Sequence, residues 1–199
     1  IHINLGHALS SSYQNCCLAA SELGHVHVVD SCNLSTGTGL LVVAAGRMIA
    51  AGMDAESIAE ALRKRTEKCH ASFILDTLTF LHAGGRCSAV AALGANVLKL
   101  KPCIQVDNHD GSMGVGKKYR GSLDKVLARY VKDELARYDN INTDLLFITH
   151  SGISQDYIDL VRKTVDETIH FKEIHITKAS CTISCHCGPN TLGILFETK

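Results

Sequence analysis

Short β-rich apolar runs alternate with helix-patterned stretches along the whole chain, and no other feature restricts the fold as much. His25 to Asp30, Ser72 to Leu75, Cys103 to Val106, Leu145 to Thr149, Glu173 to Ile176 and Leu192 to Phe196 read as strands. Ser10 to Leu23 carries helix-forming residues and ends at Gly24, suited to a left-handed C-terminal position. Thr36 to Ala51 is rich in Gly and Ala but mostly apolar, as in a helix packed closely against neighbours, and Gly52 ends it. Asp54 stands as the N-cap of a helix repeating Ile58, Leu62, Thr66 and Cys69. Asp76 reads as the cap of another short helix stopped by Gly84-Gly85, and Val90 to Leu100 as a further helix. Asn108-His109-Asp110-Gly111 has the composition of a hairpin turn. Ser122 to Tyr138 is the clearest amphipathic helix, with Leu123, Val126, Leu127, Tyr130, Val131 and Leu135 on one stripe. Ile158, Val161 and Val165 mark another. The expected fold class is therefore α/β, with a boundary near residues 70–76 that separates 1–75 from 76–199.

Charge then narrows the function classes. With 20 Lys plus Arg against 20 Asp plus Glu, the chain has no positive excess to release counterions from nucleic acid, so no nucleic-acid partner is expected. Its apolar runs fall short of the ~20 residues of a membrane span. Nine cysteines scattered through apolar segments do not form the framework of a small secreted domain. Reduced thiols and a cytoplasmic location are expected. Ile1 is not an initiator Met, and the strand–loop–helix grammar that follows it suggests an N-terminal stretch outside this sequence.

Three glycine- or serine-marked loops carry candidate chemistry. At Leu9-Ser10-Ser11-Ser12-Tyr13-Gln14 a strand turns into a helix, where free N–H groups, hydroxyls and the helix dipole can hold a carboxylate or phosphate; a plain serine N-cap is the other reading. Gly84-Gly85-Arg86 presents a guanidinium beside two flexible residues, or simply a loop arginine in water. Ser184-Cys185-His186-Cys187-Gly188-Pro189-Asn190 invites a zinc site, but adjacent residues do not readily share a tetrahedral ion and no second Cys-x-x-Cys pair completes one. No metal is expected. On an extended strand, Cys–His neighbours would also point apart, which weakens a nucleophile pair. A His presented by a Gly-Pro turn as a donor to an anionic ligand is the better functional reading.

In order along the chain, these segments resemble the DegV family of bacterial fatty-acid-binding proteins. Ile1 to Gln14 is similar to the family's Ile-His-Ile-Ser-Ser-x-Leu-Ser-Gly-Thr-Tyr-Gln turn. Val28-Val29-Asp30-Ser31 with Ser35, Gly37 and Gly39 resembles its Val-x-Asp-Ser and glycine helix. Asp76-Thr77-Leu78 to Gly84-Gly85-Arg86, Leu100-Lys101-Pro102, Lys118-Tyr119-Arg120-Gly121 and Cys185-His186-Cys187-Gly188-Pro189 resemble its later motifs.

The resemblance implies a two-lobed fold: a first lobe with a parallel sheet and helices, incomplete here, and a second that is a mixed α/β sandwich. It implies a long-chain fatty acid held between the lobes, with Ser10, Ser11, Ser12 and His186 as head-group contacts. Arg86 and Arg120 match arginines facing a partner or a transient membrane contact. The implied role is a carrier subunit, not itself an enzyme. It presents the fatty acid to a separate fatty acid kinase, which makes acyl phosphate for phospholipid synthesis, and no cofactor is needed. The alternatives are a Cys/His-dependent enzyme, using Cys185 or Cys187 with His186, and a ligand-free interaction module. Gly6-His7 replaces the family's Ser-Ser, so one hydroxyl donor is lost or exchanged for imidazole. Burying ~15 methylenes offers up to about 12 kcal/mol before ordering costs, whereas a buried carboxylate needs hydrogen bonds.

Overall fold

The computed structural model describes residues 1–85 and 100–199. Its contacts divide into two compact units: Ile1–His70 with Val106–Ser112, and Ala71–Gln105 with Met113–Lys199. Each is described by itself.

In the first unit, β1 (His2–Asn4) pairs in parallel with β2 (Val28–Asp30), Asn4 lying opposite Asp30. Helix α1 (Ser12–Leu23) joins them, as a parallel pair requires. Gly24 closes it at φ 73°, donating its N–H to the Ala20 carbonyl. Helix α2 (Ser35–Ala50) buries Leu40, Leu41, Ala44 and Ala45. Gly37 has no alternative there, because a Cβ would lie 2.0 Å from Asn33 Oδ1. Asp54 caps α3 (Ala55–Arg65), accepting from the Ser57 N–H at 2.9 Å. The helical repeat read through Cys69 stops earlier. A 3₁₀ turn over Thr66–Lys68 follows Arg65, and Cys69, fully buried, is the first residue of the next strand.

The second unit is built on a mixed six-stranded sheet. Its strands are β3 (Cys69–Ile74, in this unit from Ala71), β4 (Lys101–Val106, in this unit to Gln105), β5 (Met113–Tyr119), β6 (Ile141–His150), β7 (Glu173–Lys178) and β8 (Leu192–Thr198), in the order β5-β4-β3-β8-β6-β7. Strand β6 runs parallel to β7 and antiparallel to β8, while β3 and β4 are antiparallel. Helices α5 (Leu123–Leu135) and α6 (Gln155–Thr168) contribute Val126, Leu127, Tyr130, Val131, Ile158, Val161 and Val165 to one core with Ile148, Ile194 and Phe196. All six residues of the predicted α5 stripe are buried. Tyr130 shows how a polar atom survives there: its hydroxyl donates to the Ser72 carbonyl at 2.7 Å and accepts from the Ile194 N–H at 3.0 Å. Buried Glu134 is matched by Gln105 Nε2 at 2.8 Å and Arg137 Nη1 at 3.0 Å.

Two short helices complete this unit, α4 (Thr79–Ala83) and α7 (Cys181–Cys187). Asp76 does not cap α4. Leu78 occupies the cap position, and the Asp76 carboxylate instead pairs with Lys101 and accepts from Asn190 Nδ2. A cation offers that carboxylate a stronger partner than a backbone N–H. The segment read as an extended turn around Cys185-His186-Cys187 is helical, because Ser180 caps it and Gly188 ends it. Among the described residues no helix is long and apolar enough to cross a membrane, and every cysteine is a free thiol.

Candidate functional site

The serine turn lies in the first unit, between β1 and α1. Ser12 Oγ donates to Asn4 Oδ1 at 2.9 Å, and Asn4 Nδ2 reaches the Ser12 carbonyl and His2 Nε2. Ser10 Oγ accepts from the Ser12 N–H at 3.2 Å. Ser11 holds the N-cap position without a side-chain cap bond. The Ser12 hydroxyl proton is therefore committed to Asn4, while the Ser10 hydroxyl serves the turn as an acceptor and donates to no partner among the described residues.

His186 and its surroundings lie in the second unit. Helices α4 and α7 pack together, and glycine makes the contact possible on both sides. A Cβ on Gly84 would lie 2.1 Å from His186 Nδ1, and one on Gly188 would lie 2.3 Å from the Phe80 ring. Gly188 also holds φ 77° with ψ 174°, a positive-φ extended conformation essentially restricted to glycine. Its carbonyl accepts from Ser151 Oγ, and Thr191 Oγ1 donates to the Cys187 carbonyl at 3.0 Å. In this well-bonded cluster one atom stands out. His186 Nδ1 is buried and has no hydrogen-bond partner among the described residues. A group left so costs about 1–3 kcal/mol.

The neighbouring Cys187 thiol is a poor nucleophile. Burial, with the Cys185 sulfur nearby, pushes the Cys187 thiol up to about 11, and Cys185 Sγ points back to the Thr182 carbonyl at 3.1 Å. Arg120 is exposed just beyond β5, beside Gly121 at φ 126°. Arg86, and the predicted helix from Val90 as far as residue 99, lie outside the described residues.

A third cluster escaped the sequence reading. His7 Nδ1 sits 2.6 Å from Asp30 Oδ2, and Asp30 Oδ1 accepts from the Cys32 N–H at 2.9 Å. Imidazole, carboxylate and thiol each offer an atom within 4.8 Å of the others. Burial and then the Asp30, Asp110, Asp107 and Glu67 carboxylates push the Cys32 thiol up to about 11. The local spacing Asp30-x-Cys32 hinted at it, but His7 joins only through the β1–β2 pairing. The first unit also carries an apolar groove of about 600 Å³, lined in part by Ile3, Val42, Gly46, Ile49 and Met53.

This arrangement of a mixed sheet and a small parallel pair is the fold of solved DegV-family proteins. A structure of fatty acid binding by a DegV family protein from Thermus thermophilus superposes with a TM-score of 0.84 at 26% identity, covering 98% of this chain and 69% of that one. The Streptococcus pneumoniae fatty acid kinase (Fak) B3 protein loaded with linoleic acid shares the fold, with a TM-score of 0.84 at 20% identity over 99% of this chain and 70% of its own. A DegV domain-containing protein of Clostridium perfringens is 29% identical over 208 residues, 100% of this chain and 70% of that protein. The sequence model of the DegV family, described as uncharacterised, matches residues 1–199. The chain belongs to the DegV family.

Proposed function

We propose that the chain binds a long-chain fatty acid and presents it to a separate fatty acid kinase, which forms the acyl phosphate used for phospholipid synthesis. The observation that carries this reading is the buried, unpartnered Nδ1 of His186, at the position where the family motif has its histidine. With its proton on Nδ1, this imidazole donates a hydrogen bond to a carboxylate oxygen that reaches it. Ser10, which donates to no partner among the described residues, is the second candidate head-group contact, with Ser11 and Ser12 supporting the turn. Relatives of the same family are described as binding fatty acids, the Thermus thermophilus protein among them. The buried, protonated Cys187 thiol favours a binder over a thiolate enzyme. Arg86 and Arg120 are the candidates for touching the kinase or, transiently, a membrane surface.

Mass spectrometry of organic extracts from the purified protein tests the reading. One equivalent of co-purified fatty acid is expected. An empty extract, together with no uptake of added fatty acid, contradicts it.

A further inference from the structure

We infer that His7, Asp30 and Cys32 form a site for one divalent transition-metal cation of the Zn²⁺ type. The parallel register that sets Asn4 opposite Asp30 brings together the chain leaving β1 and the chain leaving β2. His7 lies on the first and Cys32 on the second. One donor atom from each of the three residues lies within 4.8 Å of the others, and the His7–Asp30 contact is already 2.6 Å. Around a tetrahedral zinc, with bonds of about 2.0–2.3 Å, neighbouring donors sit roughly 3.3–3.6 Å apart. The His7 side chain, 42% exposed, has room to turn.

The frame holding these donors is stiff. Ser31 and Asn33 are fully buried, with Ser31 Oγ donating to the Asn33 carbonyl at 3.1 Å. Cys32 holds φ 46°, uncommon for a residue with a side chain, and is fixed by its N–H bond to Asp30. The turn after β4 closes over it, for a Cβ on Gly111 would lie 3.1 Å from the Cys32 carbonyl carbon. Strained backbone held by its surroundings belongs to functional positions more than to ordinary loops.

Donor chemistry selects the ion. Imidazole nitrogen, thiolate sulfur and one carboxylate suit Zn²⁺ or Co²⁺, whereas Mg²⁺ and Ca²⁺ demand oxygen throughout. Three protein ligands leave a fourth position to water. On binding, the His7–Asp30 hydrogen bond opens, the Cys32 thiol releases its proton to solvent, and the ion bridges the three side chains.

Titration with Co²⁺, a coloured substitute for Zn²⁺, tests the site. One equivalent should bind and give a thiolate-to-metal charge-transfer band. Cys32→Ser should abolish that band, and His7→Ala should weaken binding at least roughly tenfold. The Cys181→Ser/Cys185→Ser double variant should retain both. In the unmodified protein, Zn²⁺ should also protect Cys32 from alkylation, read by peptide mass mapping. No saturable binding, a band that survives Cys32→Ser, or a Cys32 alkylated equally with and without Zn²⁺ would overturn the proposal.

Discussion

The serine turn and the histidine helix are both candidate head-group elements, yet they spend their polar atoms differently. In the turn, Ser12, Asn4 and Ser10 largely bond one another, so the loop keeps its shape without help. Beside α7, carbonyls and hydroxyls are paired all around while one imidazole nitrogen is left over. Folding usually removes such an atom, because its cost is a noticeable part of a domain's margin of stability. The turn thus spends its polar atoms on itself, whereas α7 leaves one imidazole nitrogen unmatched among the described residues.

The contrast can be broken first at its supports. Gly188→Ala combines a positive-φ extended backbone that only glycine adopts with a clash against Phe80, and should cost about 2–4 kcal/mol in urea denaturation. A loss below about 1 kcal/mol would mean that the α4–α7 contact is loose. Ser12→Ala should cost about 1–2 kcal/mol, because buried Asn4 loses its donor, while Ser10→Ala should cost roughly 0.5 kcal/mol or less and act mainly on ligand affinity. The reverse ranking would make Ser10 the scaffold. The smallest effect is expected with acid. Burial alone would raise the Asp76 carboxyl, but hydrogen bonds from Lys101 and Asn190 outweigh it and hold it below its usual value. Its folded pKa is depressed, so its contribution is present above the ordinary carboxylate pKa of ~3.9 and fades as pH falls through the lower folded value. Asp76→Asn should flatten that part of the acid-stability curve, and an unchanged curve would discount the pair.

Local chemistry made much of the fold legible. The α5 stripe, the Gly24 terminus and the Asp54 cap are each settled within a few residues, and the structure agrees. What depends on distant partners was not legible. Asp76 looks like a cap until Lys101 and Asn190 arrive from elsewhere in the sequence. Cys69 fits a helical repeat, but strand formation takes it. The Cys185-His186-Cys187 run reads as extended until Ser180 and Gly188 are seen to bracket a helical turn. At the candidate site, the family motif singled out His186, but its unmatched nitrogen emerges only when Gly84 packs against it. His7 and Cys32 needed the β1–β2 register.

Equilibrium binding of a long-chain fatty acid to the unmodified protein and to His186→Ala, with unfolding followed on the same samples, addresses the central claim most directly. Affinity should fall roughly 10- to 100-fold, matching about 1.5–3 kcal/mol for a hydrogen bond to a charged group, while stability stays the same or rises slightly as the unsatisfied nitrogen is removed. Undiminished affinity in a folded His186→Ala protein would contradict the account.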